Sequence, residues 1–203
     1  MTKVLIGLFS NTWNQIWHSF EMDNLVTSYS LDTVGSVLCK RWENEKQYNS
    51  EFEFAVFQDT LSDPTDLYPS TYRRFKQIGN RINEKIRNMF ELGFEKGYER
   101  VVFVDPILAF HSTNIIKEIQ NNWKPGSLLF LPDSNGKIAL CGMDEDHFWQ
   151  FENFEFQENE AIVEVLSDCN SKNIPFTLLS SFDVKKAETL WKEAYQASLG
   201  NIH

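Results

Sequence analysis

Short apolar runs alternate with stretches of helical periodicity along this chain, and this alternation restricts the folds that the chain can adopt. The apolar runs have the length of buried strands, and they occupy residues 4–9, 52–57, 101–104, 127–131, 137–141 and 174–179. Strands that alternate with helices favour an α/β domain with a mainly parallel sheet. Asn135 and Gly136 lie between the fourth and fifth runs and indicate a hairpin, so the predicted sheet is mixed.

The segments between these strands have apolar side chains every three or four residues. The longest such pattern runs from Phe75 to Phe94 and predicts one long helix, which Gly97 is placed to end. Further helices are predicted around residues 115–119 and 161–166, and Asp183 is placed to cap the last helix. Because no Pro- or Gly-rich linker divides the chain, residues 1–203 are expected to form a single domain.

Charge and cysteine content exclude several classes of protein. The chain has 19 Lys and Arg against 29 Asp and Glu, a net charge of −10, which disfavours nucleic-acid binding. No apolar run approaches the ~18 residues of a membrane span. The three cysteines Cys39, Cys141 and Cys169 are odd in number and far apart, which predicts free thiols in a reducing cytoplasm. The oligomeric state remains open at this level.

Ligands of open α/β sheets bind at the carboxyl ends of the strands. On this prediction, three loops meet there, at residues 10–17, 105–112 and 133–136. Asp105 follows the most apolar strand and is a candidate ligand for Mg²⁺ or Mn²⁺, which would in turn hold a diphosphate. The alternative is that Asp105 caps the turn into Pro106.

Polar side chains in the other two loops are candidate contacts for a sugar or phosphate. Ser10, Asn11 and Thr12 have the polarity of a phosphate loop, although no glycine follows them before Met22. Asn135 and Gly136 are candidate contacts as well, and a tight turn explains this pair equally. No Walker loop, Gly-x-Gly-x-x-Gly or Gly-x-Ser-x-Gly motif is present, which argues against P-loop, simple dinucleotide-binding and α/β-hydrolase proteins.

Residues 77–90, which include Gln77, Gly79 and Glu84, resemble a helix motif of a bacterial family of GT-A-like proteins. That motif reads Gln-x-Gly-x-x-Leu-Gly-Glu-Arg-Met-x-x-Ala-Phe, and the family is described as glycosyltransferase-like or nucleotide-diphospho-sugar transferase-like. The similarity continues through residues 93–104, 127–142 and 182–184 and so covers most of the chain. It implies a three-layer α/β fold of the GT-A type with a mixed, mainly parallel central sheet.

The resemblance also implies a function and a set of site residues. Members of such a family transfer a glycosyl or nucleotidyl group from a nucleotide-diphospho donor. The expected ligand is therefore a nucleotide sugar, with Mg²⁺ or Mn²⁺ at Asp105. Asn11, Asn135, Gly136 and Asp183 are the candidate substrate-binding residues that this resemblance implies.

The chain departs from the family pattern mainly at charged positions. The metal-loop aspartate is either lost or displaced two positions to Asp105, residues 10–20 contain no Lys or Arg, and Lys185 replaces a late aspartate. Three hypotheses remain at this point. The chain is a transferase-like protein with degenerate metal and phosphate motifs, a catalytically inactive binding or partner module on the same fold, or a nucleotide- or flavin-binding α/β protein.

Overall fold

A computed structural model describes residues 3–9, 51–58, 70–105, 108, 115–151, 155–156, 158–186, 189 and 193. Helix also follows Asp183, at the described residues 184–186, 189 and 193. The other elements are, in chain order, β1 (Val4–Phe9), β2 (Phe52–Gln58), β3 (Arg73–Lys76), α1 (Ile82–Glu95), β4 (Arg100–Val104), α2 (Ile115–Asn122), β5 (Leu128–Pro132), β6 (Ile138–Asp144), α3 (Glu145–Phe148), a 3₁₀ turn (Trp149–Phe151), α4 (Ala161–Lys172) and β7 (Phe176–Leu178).

The seven strands form one sheet in the order β3-β2-β1-β4-β6-β5-β7. β6 runs antiparallel to its neighbours β4 and β5, and every other strand pair is parallel. The predicted mixed, mainly parallel sheet and the β5–β6 hairpin are therefore confirmed. The parallel strands all end at one side of the sheet, which we call the carboxyl edge. It is formed by the residues that end these strands: Phe9, Gln58, Lys76, Val104, Pro132 and Leu178.

Apolar side chains cover both faces of the sheet, as the continuous apolar strands predict. In β1, Ile6 and Leu8 belong to a core cluster shared with α2, whereas Leu5 and Phe9 belong to a second cluster shared with α1 and α4. This division follows from the alternation of side chains along a strand. Helices thus lie on both sides of the sheet, which confirms the predicted three-layer α/β arrangement.

The predicted helix from Phe75 to Phe94 is wrong in its first part. Phe75 lies in the short strand β3, where it pairs with Phe57, and Ile78 lies in the following loop with 59% of its surface exposed. Gly79 has φ +120, a conformation that a helix does not contain. Helix α1 therefore starts at Ile82. Phe75 in the strand and Ile78 in the loop fit the helical spacing by chance.

The end of α1 is at the predicted position. Gly97 has φ +81, and its N–H donates to the carbonyl of Phe94 at 2.8 Å. The N–H of Tyr98 donates to the carbonyl of Gly93 at 3.2 Å. These two bonds form a Schellman motif, which satisfies carbonyls at the helix end and favours glycine in the left-handed position.

Two of the three cysteines lie in the described residues, and both are free thiols, as their number and spacing predict. Cys141 on β6 and Cys169 on α4 are free and buried, and burial raises the pKa of the Cys141 thiol well above its usual value. Cys39 lies outside the described residues. None of the helices that the structure describes is both long and apolar enough to cross a bilayer.

Candidate functional site

The carboxyl edge brings together two of the three loops that the sequence singles out. Asp105 follows β4, and Asp133 follows β5, which runs parallel to β4 because both are antiparallel to β6. Phe182 forms a parallel bridge with Asp133, so Asp183 lies beside the same loop. Asn11 and the rest of loop 10–17 lie outside the described residues, although β1 ends at the same edge.

Asp105 is held at the edge by its main chain. Its N–H donates to the carbonyl of Ala139 on β6 at 2.7 Å, and its carbonyl accepts from the N–H of Leu108 at 3.0 Å. The residue is half-buried. Both of these bonds use main-chain atoms of Asp105. Apart from Leu108, the remainder of loop 105–112 lies outside the described residues.

The carboxylate of Asp133 organises the turn between β5 and β6. Its Oδ1 accepts from the N–H of Asn135 at 2.7 Å and from the N–H of Lys137 at 2.9 Å. A side chain that accepts from the main chain two residues later stabilises a tight turn. This part of the loop is therefore fixed by its own hydrogen bonds.

Asn135 and Gly136 also fasten the start of α4 to the carboxyl edge. The carbonyl of Asn135 accepts from the N–H of Glu160 at 3.2 Å, and that of Gly136 accepts from Ile162 at 3.0 Å. Gly136 has φ +78, and a Cβ there would lie 2.9 Å from the Cα of Glu160. Packing and turn geometry thus account for this glycine, and both residues are placed at the edge where a ligand would lie.

Asp183 caps the helical turn over residues 184–186, as the sequence predicts. Its Oδ1 accepts from the N–H of Lys185 at 2.9 Å and from the N–H of Lys186 at 3.3 Å. The side chains of both lysines are exposed, as is that of Asp183. Lys185 and Lys186 thus place two cationic side chains next to the Asp133 loop.

The residues shared with the family helix motif hold the connection between β3 and α1. Glu84 Oε2 accepts from the N–H of Asn80 at 2.7 Å and from that of Arg81 at 3.3 Å. These two hydrogen bonds, the Asn80 bond first, lower the pKa of the Glu84 carboxyl. A Cβ at Gly79 would lie 2.7 Å from the Cβ of Glu84, and Gln77 Nε2 donates to the carbonyl of Phe57 at 2.7 Å. The matched motif residues therefore have structural roles.

One polar residue of the edge is not singled out by the sequence patterns. Gln58 ends β2 and is buried there, next to β1 in the sheet. The apolar run ends at Phe57, so the sequence pattern predicted a strand that stops one residue before Gln58. A polar side chain directly after a buried strand of a parallel sheet is the signal that identifies it.

The described residues fit a divalent cation only if the phosphates of a bound nucleotide supply some of its ligands. Asp105 and Asp183 are separated by three inter-strand spacings, roughly 14 Å, which is too far for both to hold one ion. The described part of the chain contains no group of three or more His, Cys, Asp or Glu that could hold a metal. Mg²⁺ is commonly bound by one or two carboxylates together with water and substrate phosphates. Asp105 suits that kind of site.

Comparison with solved structures identifies the fold. A candidate nucleotide-diphospho-sugar transferase from Desulfovibrio desulfuricans G20 superposes with a TM-score of 0.68 at 13% identity, over 90% of this chain and 82% of that one. The 4-diphosphocytidyl-2C-methyl-D-erythritol synthase of Anaerococcus prevotii gives 0.57 at 9% identity, over 98% and 96% of the two chains. A cytidylyltransferase of Leptospira borgpetersenii gives 0.51 at 11% identity, over 89% and 76%.

The fold is thus the one found in nucleotide-diphospho-sugar transferases and cytidylyltransferases, as the motif resemblance predicts. No protein-family model and no curated protein sequence matches the chain. At 9–13% identity the similarity concerns the fold alone.

Proposed function

We propose that this protein is a nucleotide-diphospho-sugar transferase-like protein that binds a nucleotide sugar, with Mg²⁺ or Mn²⁺, at the carboxyl edge. The observation that supports this best is the position of Asp105 at the end of β4, in a fold that such transferases share. The Asp133 loop and Asp183 lie along the same edge and would contact the distal part of the ligand. The free, buried thiols of Cys141 and Cys169 favour a reducing cytoplasm for this activity.

The acidic balance of the chain favours a cation between the carboxyl edge and a diphosphate. The chain has a net charge of −10, and Asp105, Asp133 and Asp183 all follow strands or loops at the carboxyl edge. Residues 10–20 contain no Lys or Arg that would neutralise a diphosphate. Lys185 and Lys186 lie near one end of this edge, and a divalent ion at Asp105 would offset the negative charge where residues 10–20 supply no cation. The Asp105 carboxylate would hold that ion, which supplies charge neutralisation when bound.

The altered charged positions imply weak binding and slow transfer. Each charge-assisted hydrogen bond contributes about 1.5–3 kcal/mol, so the missing basic residues remove a large part of the affinity for a diphosphate. Transfer reactions of this kind depend on positioning and on electrostatic stabilisation of the transition state. The metal and phosphate motifs of this chain are therefore degenerate.

Calorimetric titration with UDP-glucose and CTP, each in Mn²⁺ and again in EDTA, tests this function. We expect binding heat in Mn²⁺ for at least one of the two ligands and none in EDTA, because the acidic edge repels a diphosphate that lacks its cation. Binding that persists in EDTA would contradict the role of the cation. Silence toward both ligands in Mn²⁺ would contradict the function, and binding of flavin mononucleotide instead would favour the nucleotide- or flavin-binding alternative.

An inactive binding or partner module on the same fold is the second candidate. The observation that favours it is that Gln77, Gly79 and Glu84, which match the family motif, are all used to build the β3–α1 connection. A chain that keeps only such residues keeps the fold without the chemistry. The same titration separates the two candidates, since a module that has lost its site binds neither ligand.

A further inference from the structure

Gln58 lies at the carboxyl edge and is one of the few polar side chains that are buried among the described residues. It ends β2, it is 1% exposed, and its carbonyl accepts from the N–H of Gln77 at 2.7 Å. Only β1 separates β2 from β4 in the sheet, so Gln58 lies two inter-strand spacings, roughly 10 Å, from Asp105. One nucleotide-sized ligand can span that distance along the edge.

The side-chain amide of Gln58 has an unpaired acceptor. Within the residues that the structure describes, Gln58 Oε1 is buried and has no hydrogen-bond partner. Its neighbour Gln77 is also buried, yet Gln77 Nε2 donates to the carbonyl of Phe57 at 2.7 Å. Buried acceptors without a partner are destabilising and rare in folded proteins. The fold therefore satisfies one glutamine at this edge and leaves an acceptor of the other open.

We propose that Gln58 is a specificity-determining residue whose Oε1 accepts a hydrogen bond from an uncharged N–H or O–H group of the ligand. The inference rests on the proposed function and adds the contact that selects the ligand. Ionised phosphate oxygens only accept hydrogen bonds, so the phosphates cannot be the partner. The donor belongs to the uncharged part of a nucleotide sugar, which is either the base or a sugar hydroxyl.

The substitution Gln58→Met tests this inference, because methionine keeps a similar length and volume but cannot accept a comparable hydrogen bond. We expect the Tm of the free protein to stay the same or rise, because the buried unpaired acceptor is gone. We expect the Kd for UDP-glucose in Mn²⁺ to rise about tenfold, the effect of losing one hydrogen bond from a closed site. The opposite signs of these two effects separate recognition of a ligand from a structural role.

The matched control is Gln77→Met, which changes a buried glutamine on the next loop in the same way. Its Tm should fall, because the bond from Nε2 to the carbonyl of Phe57 is lost. A similar fall in Tm for Gln58→Met would show a structural role and overturn the inference. An unchanged Kd for Gln58→Met would overturn it as well. If the wild-type protein binds no nucleotide sugar, the proposed function itself fails and this inference fails with it.

Two smaller probes distinguish the two sources of the donor. UMP in Mn²⁺ presents the base without the transferred sugar, and glucose 1-phosphate in Mn²⁺ presents the sugar without the base. If Gln58→Met weakens the binding of UMP, the base or the ribose supplies the donor. If it weakens the binding of glucose 1-phosphate, a hydroxyl of the transferred sugar supplies it. Full retention of affinity for both probes would overturn the inference.

Discussion

Replacing Asp105 with asparagine is expected to raise the Kd for UDP-glucose in Mn²⁺ by about ten- to a hundredfold, with little change in Tm. The expected loss corresponds to one charge-assisted contact of about 1.5–3 kcal/mol. The fold should persist, because asparagine keeps the size of the side chain and one acceptor oxygen, and the bonds of Asp105 to Ala139 and Leu108 use main-chain atoms. Calorimetry on the variant gives the Kd, and thermal unfolding followed by circular dichroism gives the Tm.

The direction of this effect is what makes the Asp105 experiment decisive. Removing a negative charge near a diphosphate strengthens binding if the carboxylate merely repels the ligand. Weaker binding in Mn²⁺, together with no binding in EDTA, is expected if the carboxylate holds a cation that the diphosphate needs. Asp144→Asn is the matched control: Asp144 lies opposite Arg100 in the β4–β6 strand register at the other edge of the sheet, and asparagine keeps the side-chain oxygen that accepts from the N–H of His147. An unchanged or lower Kd for Asp105→Asn would contradict the role assigned to Asp105.

Replacing Phe90 with alanine is expected to lower the free energy of unfolding by about 3–5 kcal/mol, the cost of emptying a large buried site. Phe90 is fully buried in α1, and its ring centroid lies 5.7 Å from that of Phe148 and 6.3 Å from that of Phe156. It is also the last residue of the segment 77–90 that resembles the helix motif of the transferase family. Urea-induced unfolding, followed by fluorescence and circular dichroism, measures the loss.

The Phe90 variant also tests whether the apolar and charged positions have separate roles. Phe90→Leu should lose less stability than Phe90→Ala, because leucine fills more of the same space. Below the unfolding transition, both variants should bind UDP-glucose with the wild-type Kd, since the ring of Phe90 packs against Phe94 of α1 and Phe148 of α3. A loss below about 1 kcal/mol for Phe90→Ala, or a changed Kd in the folded state, would contradict this separation.

Most of the sheet could be predicted from the sequence, because its strands are buried on both faces and read as continuous apolar runs. Residues 101–104 and the Asn135–Gly136 hairpin are clear examples. Strand β3 could not be predicted, because Arg73–Lys76 is short and partly exposed and is defined by its pairing with β2. Phe75 and Ile78 continue the spacing of α1 by chance, and they are separated from the helix by the pairing of β3 with β2, by the φ of Gly79 and by the extended Arg81.

The candidate site was predictable in position but not in detail. The rule that parallel strands end at one edge is enough to bring Asp105 and Asp183 to the same side of the sheet. The packing of Gly136 against Glu160 and the unpaired acceptor of Gln58 depend on contacts between distant parts of the chain. Local spacing does not contain that information. The role of Glu84 is local, because its carboxylate accepts from the main-chain N–H groups of Asn80 and Arg81, four and three residues earlier.

The measurement that tests the account most directly is the broadening of amide signals by Mn²⁺ in the NMR spectrum, with and without UDP-glucose. Paramagnetic broadening reports which residues lie near the ion. We predict that Asp105, Leu108 and Ala139 lose intensity when both Mn²⁺ and UDP-glucose are present, and much less with Mn²⁺ alone. Broadening centred on Asp144 and His147 at the opposite edge, or no effect of UDP-glucose on the pattern, would contradict the account.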